Sequence, residues 1–252
     1  ARDGLKVSGY ITLPKEKKEK IPLVVLPHGG PHGIRDYWGF QEEVQYLASL
    51  GVAVLQVNYR GSAGYGNAFS FAGVGNWWST MVEDIIDATQ WASNEFAINK
   101  NEVCISGGSY GAYAALMSAT KAADMFKCVI AASGVYDLAL HLEISDTSNS
   151  SLGQNYLKDV LGNNKKALKA NSPIANIDKL KAPVLIIHGE QDRRTPLEQA
   201  QLLKSKLDEM KHPYQWQLFE NEGHGLYKEK SRQAYFDVVK EFLKEHLTIS
   251  GN

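Results

Sequence analysis

Three short segments of the chain carry residue types that together can perform nucleophilic catalysis. In chain order they read Gly-Gly-Ser-Tyr-Gly, Gly-Glu-Gln-Asp and Glu-Gly-His-Gly. A histidine can take the proton of a serine hydroxyl and return it to a leaving group, and a carboxylate can orient that histidine. The segments therefore predict Ser109 as the nucleophile, His224 as the general base and Asp192 as the acid that orients the base.

The serine segment matches the G-x-S-x-G pattern of a nucleophile elbow, a sharp turn between a strand and a helix. Residues 103–106 form an apolar run typical of a strand, and residues 112–119 are typical of a helix, so the required strand–turn–helix context is present. Gly107 and Gly111 leave room for strand and helix to cross closely. The chain order Ser, Asp, His is that of α/β hydrolases and differs from the orders of chymotrypsin and subtilisin.

Other acids and histidines compete for two of the three roles. Glu190 is the nearest rival of Asp192, and Asp137 is the second, although Asp137 fits better as a helix cap. Among the seven histidines, His224 follows the predicted last strand between glycines that leave its loop free to aim the imidazole. His188 closes a strand, and we expect it to pack near the acid loop.

A glycine turn early in the chain is a candidate oxyanion hole. The segment 28–31 reads His-Gly-Gly-Pro and follows a predicted buried strand, which is where such folds place one backbone N–H donor. The second donor is expected from Tyr110, the residue after the nucleophile. We favour Gly30 over Gly29 because Pro31 fixes the turn just after Gly30 and has no N–H of its own. A plain structural turn is the alternative.

The elements that must position these residues alternate between strands and helices, which predicts an α/β fold with a mainly parallel sheet covered by helices on both faces. Continuous apolar runs predict buried strands at 23–26, 52–57, 103–106, 128–132 and 184–188, a last strand at 215–219 and an antiparallel edge strand at 5–13. Apolar residues at helical spacing predict helices around 40–50, 81–92 and 112–119, and a final helix beginning near Ser231.

The polar region 137–171 is the least readable, with a helical patch at 157–161. By analogy with other α/β hydrolases, a segment here is commonly inserted to shape the substrate site. We therefore expect the pocket for the acyl side of the substrate to be lined from 135–142 and 149–161.

Composition excludes several classes of protein. The chain has 252 residues, 44% hydrophobic and 22% charged, with a formal net charge of −1, so it lacks the basic excess of a nucleic-acid-binding protein. No apolar run approaches the ~18 residues of a membrane span, so we expect a soluble protein; the choice between cytoplasm and periplasm stays open. Cys104 and Cys128 fall in predicted core strands, and buried free thiols are favoured there over a disulfide.

Several segments together resemble the catalytic domain of the prolyl oligopeptidase family of serine peptidases, with the acylaminoacyl-peptidase and dipeptidyl-peptidase branch most similar. The resemblance extends from about Asp3 to Leu247. The matching segments are 28–31 (His-Gly-Gly-Pro), 58–66 (Asn-Tyr-Arg-Gly-Ser-Ala-Gly-Tyr-Gly), 107–111, 192–196 (Asp-Arg-Arg-Thr-Pro) and 222–225. Segment 58–66 is the most specific, and in this family it is a loop near the active site.

The resemblance implies a Ser109/Asp192/His224 triad, oxyanion donors at the N–H groups of Gly30 and Tyr110, and no metal or organic cofactor. Arg194 matches a family position beside the substrate cleft, where it either orients the peptide or forms a structural ion pair. The chain departs from the family where Trp78 replaces a usual glycine and Thr195 a common valine. The family also implies an N-terminal β-propeller and frequent dimerisation through this domain. We therefore interpret 1–252 as a single catalytic domain cut from a longer protein, with a naturally propeller-less hydrolase as the alternative.

The leading hypothesis is a serine peptidase that cleaves aminoacyl or acylaminoacyl bonds of short peptides through an acyl-enzyme. A carboxylesterase acting on small acyl esters is the runner-up, because ester and amide hydrolysis use the same groups. A non-catalytic binding module on a hydrolase fold is a third possibility, against which the complete triad and oxyanion loop argue. Neither nucleic acid nor a membrane is expected as a partner.

Overall fold

The computed structural model describes residues 1–16 and 19–249 and contains a seven-stranded sheet. The strands are β1 (Ser8–Thr12), β2 (Ile21–Val25), β3 (Ala53–Asn58), β4 (Ile98–Gly108), β5 (Cys128–Ala132), β6 (Val184–Gly189) and β7 (Tyr214–Phe219). They lie in the order β1-β3-β2-β4-β5-β6-β7. β1 pairs antiparallel with β3, and the remaining pairs are parallel. The prediction of a mainly parallel sheet with an antiparallel edge strand is confirmed.

Ten α-helices are found in the described part of the chain. They are α1 (Glu42–Ser49), α2 (Asn67–Phe71), α3 (Thr80–Glu95), α4 (Tyr110–Lys121), α5 (Leu138–Ile144), α6 (Ser151–Leu161), α7 (Lys165–Ala170), α8 (Pro173–Asn176), α9 (Leu197–Met210) and α10 (Glu229–His246), with 3₁₀ turns at Asp146–Asn149 and Ile177–Lys179. None of these helices has the length and apolar character needed to cross a membrane.

Two hydrophobic layers enclose the sheet. Alternate residues of a central strand point to opposite layers, as Leu23 and Val25 do against Val24. Helices α3, α4 and α9 cover one face, and α1 and α10 cover the other. Because both faces are buried, the strands are apolar at successive positions rather than at alternate ones. The carboxyl ends of the parallel strands are thereby held at one edge, where their loops can meet.

The final helix begins earlier than predicted. α10 starts at Glu229, whereas the sequence favoured Ser231 as its cap. The reason lies in Glu222, whose carboxylate accepts the backbone N–H groups of Tyr227 and Lys228 and a hydrogen bond from the Ser231 side chain. Ser231 therefore contributes to anchoring the preceding loop instead of capping the helix.

The expectation of free thiols is wrong, because Cys104 and Cys128 form a disulfide. They occupy paired positions on the neighbouring parallel strands β4 and β5, with their Cα atoms 4.8 Å apart. Side chains at paired positions point to the same face, and this separation lies within the range that a disulfide spans. Both residues are fully buried.

Candidate active site

Ser109 occupies the turn between β4 and α4 with φ 58° and ψ −123°, a strained conformation for a residue with a side chain. The turn is tight on both sides. A Cβ at Gly107 would collide with the backbone carbonyl of Gly111, and a Cβ at Gly111 would collide with the carbonyl oxygen of Pro27. Only glycine fits these two positions, so the serine is held at the N-terminus of α4, where the helix dipole favours negative charge.

The structure brings the three predicted residues together in one hydrogen-bonded row. Ser109 follows β4, Asp192 follows β6 and His224 follows β7, so all three lie at the same edge of the sheet. His224 Nε2 lies 3.0 Å from Ser109 Oγ, and His224 Nδ1 lies 2.8 Å from Asp192 Oδ2. With its Nδ1–H donated to the carboxylate, the neutral imidazole has Nε2 free to accept the serine proton.

Asp192 is a buried carboxylate that accepts four hydrogen bonds. Its Oδ1 accepts the backbone N–H groups of Arg194 and Thr195, each at 2.9 Å. Its Oδ2 accepts His224 Nδ1–H and the Thr195 hydroxyl, the latter also at 2.9 Å. Burial by itself raises the pKa of Asp192, but the hydrogen bond and charge of His224 and the bonds from Thr195 outweigh it and lower the pKa below its ordinary value. Asp192 is therefore ionised at neutral pH.

Thr195 contacts both Asp192 and His224, and sequence reasoning missed these contacts. Its hydroxyl oxygen lies 2.9 Å from the Ser133 carbonyl oxygen and 3.3 Å from His224 Nδ1, besides its bond to Asp192. The only signal in the sequence was the departure from the common valine at this position. The hydroxyl links the acid loop to the end of β5.

The rival acids lie elsewhere. Asp137 caps α5, where its Oδ1 accepts the N–H groups of Ala139 and Leu140 at 2.8 and 3.0 Å, as predicted. Glu190 Oε2 accepts the backbone N–H of Asn221. His188 is buried, and its Nε2 lies 2.8 Å from the Thr195 carbonyl oxygen, which is the position near the acid loop expected from the sequence.

The predicted oxyanion turn lies against Ser109. A Cβ at Gly29 would lie 3.5 Å from the Ser109 Cβ. Gly30 has φ +112° and precedes Pro31 through a cis peptide bond. Tyr110 is the first residue of α4, and the first N–H groups of a helix have no acceptor within it. Two backbone segments therefore lie beside Ser109: the glycine turn 28–31 and the N-terminus of α4.

Segment 58–66 is the support of this turn. The Tyr59 hydroxyl donates to the His28 carbonyl oxygen at 2.7 Å, and the Ser62 hydroxyl lies 2.8 Å from His28 Nε2. The Asn58 side chain pairs with the backbone of Asp36 through two hydrogen bonds of 2.7 and 3.0 Å. The sequence placed this segment near the active site without assigning a role, and the contacts show that its side chains fix the loop after β2.

The supporting segment is itself anchored to α3 by a buried ion pair. Arg60 Nε and Nη2 bind the two oxygens of Asp84 at 2.8 and 2.7 Å, and the Arg60 backbone N–H donates to the same carboxylate at 2.9 Å. The side chains are 9% and 0% exposed. Arg60 Nη1 also bonds Asp3 at 2.7 Å. A bidentate pair with a further guanidinium N–H bonded to a second carboxylate is a favourable form of a buried ion pair.

Arg194 forms an ion pair, one of the two roles that the sequence allowed. Its Nε bonds Asp146 in the 3₁₀ turn after α5, and its side chain is 54% exposed. The backbone N–H of Asp146 also donates to the Arg193 carbonyl oxygen at 2.8 Å. Arg194 therefore ties the acid loop to the segment between α5 and α6.

A cavity of about 440 Å³ opens beside Ser109 and His224. It lies over the ends of β4, β5 and β6, between α1 and α10. A smaller cavity of about 270 Å³ lies between α5, α6 and α7 and is lined from both segments predicted for the acyl side, but its lining does not include the triad. The acyl-side pocket stays a prediction.

The chain resembles known peptidases along nearly its whole length. The family model described as "Prolyl oligopeptidase family" matches residues 38–250. Dipeptidyl aminopeptidase BIII of Pseudoxanthomonas mexicana is 34% identical over 98% of this chain and 37% of its own length. A puromycin-hydrolysing peptidase of Mycobacterium tuberculosis superimposes with a TM-score of 0.89 at 29% identity, over 96% of this chain and 37% of that one. The acylaminoacyl peptidase of Pyrococcus horikoshii gives 0.89 at 27% identity, over 99% and 41%. The chain thus spans about two fifths or less of each of these proteins.

Proposed function

Since the chain belongs to the prolyl oligopeptidase family and has an α/β-hydrolase fold, we propose that it is a serine peptidase that hydrolyses short peptides at aminoacyl or acylaminoacyl bonds. The observation that carries the proposal is the hydrogen-bonded row of Ser109, His224 and Asp192 at the carboxyl edge of the sheet. Its order and polarity match what an acyl transfer to serine requires.

The reaction proceeds in two halves. Ser109 Oγ attacks the substrate carbonyl while His224 Nε2 takes its proton, and the ionised Asp192 stabilises the imidazolium that forms. His224 then gives the proton to the leaving nitrogen, the C–N bond breaks, and an ester on Ser109 remains. In the second half His224 removes a proton from water, whose oxygen attacks the ester and releases the acid and the free Ser109 hydroxyl.

The oxyanion donors in this proposal are the backbone N–H groups of Gly30 and Tyr110. Removing one such donor typically costs about 3–4 kcal/mol of transition-state stabilisation. The hydrogen bonds from Tyr59 and Ser62 to His28 support this assignment, because they fix the turn that carries Gly30.

Arg194 is proposed as a substrate-binding residue in addition to its ion pair. Its half-exposed guanidinium stands two residues from Asp192, and a guanidinium can donate to a peptide carbonyl. Arg194→Met should raise KM for peptides with little change in kcat, whereas Asp146→Asn, which removes only the ion-pair partner, should leave KM within about twofold.

Residues 1–252 are further proposed to act as one catalytic domain, and the frequent dimerisation that the family resemblance implies makes a homodimer the expected assembly. All seven strands of the sheet and all three triad residues lie within this chain. Light scattering of the purified chain tests the dimer, and a monomeric mass at micromolar concentration would refute it.

The proposed function is tested by labelling and by a matched pair of substrates. A fluorophosphonate should label the wild type but not Ser109→Ala, and absence of label in both would refute the serine-hydrolase assignment. An aminoacyl p-nitroanilide and a short-chain p-nitrophenyl ester should both be cleaved in a Ser109-dependent way. Cleavage of the ester alone would favour the carboxylesterase.

A further inference from the structure

Two acids that the triad does not use, Glu42 and Glu43, line the cavity beside Ser109 and His224. Glu43 of α1 is partly buried in its wall, and its Oε1 accepts the hydroxyl of Tyr235 from α10 at 2.8 Å. Within residues 1–16 and 19–249, no lysine, arginine or histidine lies within ion-pair distance of Glu43. Removing a carboxylate from water costs free energy unless the carboxylate is paired. Burial accordingly raises the pKa of Glu43.

The position of the cavity relative to the triad indicates which part of a substrate it faces. His224 must hand its proton to the leaving group, so the leaving group lies on the His224 side of the reacting carbon. The cavity is lined by His224 and by the two residues that follow it, Gly225 and Leu226. Its lining includes neither the oxyanion turn 28–31 nor segment 135–161. It therefore adjoins the leaving-group side of Ser109.

The cavity has the size and lining of a side-chain pocket. Its volume of about 440 Å³ falls within the ~300–1,000 Å³ of typical ligand pockets. Ile187, Leu226 and Phe236 supply apolar walls. Gly108 lies in the lining beside Ser109, and a Cβ there would have only the Ala132 carbonyl oxygen within 4 Å, at 3.8 Å.

We propose that this cavity is the subsite for the residue that follows the scissile bond, and that it selects a cationic side chain, lysine or arginine, which pairs with Glu43. The proposal rests on the serine-hydrolase function proposed above. The aliphatic part of such a side chain packs on the apolar walls. Its charged end forms an ion pair with the Glu43 carboxylate, which compensates for the hydration that the carboxylate loses on burial. Tyr235 holds the carboxylate in place through its hydroxyl.

The test measures which amine captures the acyl-enzyme, because the attacking amine binds where the leaving residue was. A p-nitrophenyl ester loads Ser109, and lysinamide, norleucinamide or glutamic acid α-amide is added in separate reactions. The amine nitrogen attacks the ester carbon, His224 takes its proton, the bond to Ser109 Oγ breaks and the proton returns to that oxygen. The ratio of amide product to hydrolysed acid reports the preference.

In the wild type, lysinamide should capture the acyl group at least tenfold better than norleucinamide, and the glutamate derivative should be the poorest. Glu43→Gln should bring lysinamide to within about threefold of norleucinamide while ester hydrolysis stays within twofold of wild type. Glu42→Gln is the matched control, because Glu42 is the neighbouring acid on the same helix and also lines the cavity, but it is exposed to solvent; this variant should retain the lysine preference.

Arg232 of α10 also lines the cavity, so a preference for the glutamate derivative would overturn the cationic subsite. Equal capture of the three amines, or no capture of any, would overturn it too, while ester hydrolysis left the serine chemistry intact. Retention of the lysine preference in Glu43→Gln, or its equal loss in Glu42→Gln, would also overturn it. Absence of Ser109-dependent ester hydrolysis would instead refute the proposed function, so the two failures are distinguishable.

Discussion

Replacing Asp192 by asparagine should abolish catalysis through the tautomer of His224. Oδ1 accepts two backbone N–H groups, so an amide nitrogen placed there would face two donors and lose both hydrogen bonds. The amide nitrogen of the variant must therefore occupy the place of Oδ2, 2.8 Å from His224 Nδ1. There it donates to Nδ1, while the Thr195 hydroxyl donates to the Ser133 carbonyl oxygen, 2.9 Å away, instead. The ring proton moves to Nε2, and His224 can no longer accept the proton of Ser109.

The size of the expected loss of kcat follows from the hydrogen bonds of the Asp192 side chain. Two N–H bonds of typical net strength, about 1 kcal/mol each, and the cost of leaving those donors unpaired hold the amide in the unproductive orientation. A histidine locked in the wrong tautomer lowers kcat by about 10⁴-fold in serine peptidases of another fold, which corresponds to about 5.5 kcal/mol. We expect a loss of the same order in Asp192→Asn, with KM nearly unchanged.

The assay is hydrolysis of the p-nitrophenyl ester and the p-nitroanilide at pH 7–8, with circular dichroism to verify folding. Asp137→Asn is the matched control, since asparagine caps a helix as well as aspartate does, and this variant should keep activity within about twofold. If Asp192→Asn retains more than a tenth of the wild-type kcat while folded, or if Asp137→Asn loses a comparable amount, then Asp192 does not orient the base.

Three further changes test the scaffold. Gly107→Ala should unfold or inactivate the chain because its methyl group collides with the backbone of the elbow, whereas Gly108→Ala should fold normally by circular dichroism; equal tolerance would contradict the described turn. Asp84→Asn should lower the free energy of unfolding in urea by about 3–5 kcal/mol because it leaves the buried Arg60 with only the half-exposed Asp3 as a counter-charge, and a loss below about 1 kcal/mol would show that the pair is not needed. Burial raises the pKa of Asp36 to about 6, so wild-type stability falls as the pH rises from about 4 to about 6; Asp36→Asn should therefore gain Tm over wild type at pH 8 but not at pH 4, and an equal difference at both would refute this.

The sequence was sufficient for the parts of the fold and site that depend on local pattern. Continuous apolar runs located the strand ends to within three residues, because a strand covered on both faces is built almost entirely from apolar residue types. The start of β4 is the exception, since it lies at Ile98, five residues before the predicted start. The elbow, the acid loop and the histidine loop each follow such a strand, and parallel strands bring their carboxyl ends to one edge. Ser109, Asp192 and His224 could therefore be predicted to meet.

The features of the fold and site that could not be predicted depend on contacts between residues that are far apart in the chain. The link of Thr195 to His224 spans 29 residues, and that of Tyr235 to Glu43 spans 192. The start of α10 was misplaced because the favourable capping residue Ser231 bonds Glu222 instead. These contacts join residues that only the folded chain brings together, and at the start of α10 such a contact outweighs the local capping preference of Ser231.

Because Cys104 and Cys128 are buried, their oxidation state in the native protein is set by the conditions under which the chain folded. Thiol–disulfide exchange requires a thiolate to reach one of the two sulfurs, and both cysteines are fully enclosed between the sheet and the layer formed by α1 and α10. A chain that closes its core with the bond formed keeps it in a reducing buffer, and one that closes with two thiols keeps them in an oxidising buffer, until the chain unfolds. The intact mass of the native protein, which differs by two hydrogen atoms between the forms, therefore reports whether the chain folded in an oxidising or a reducing compartment.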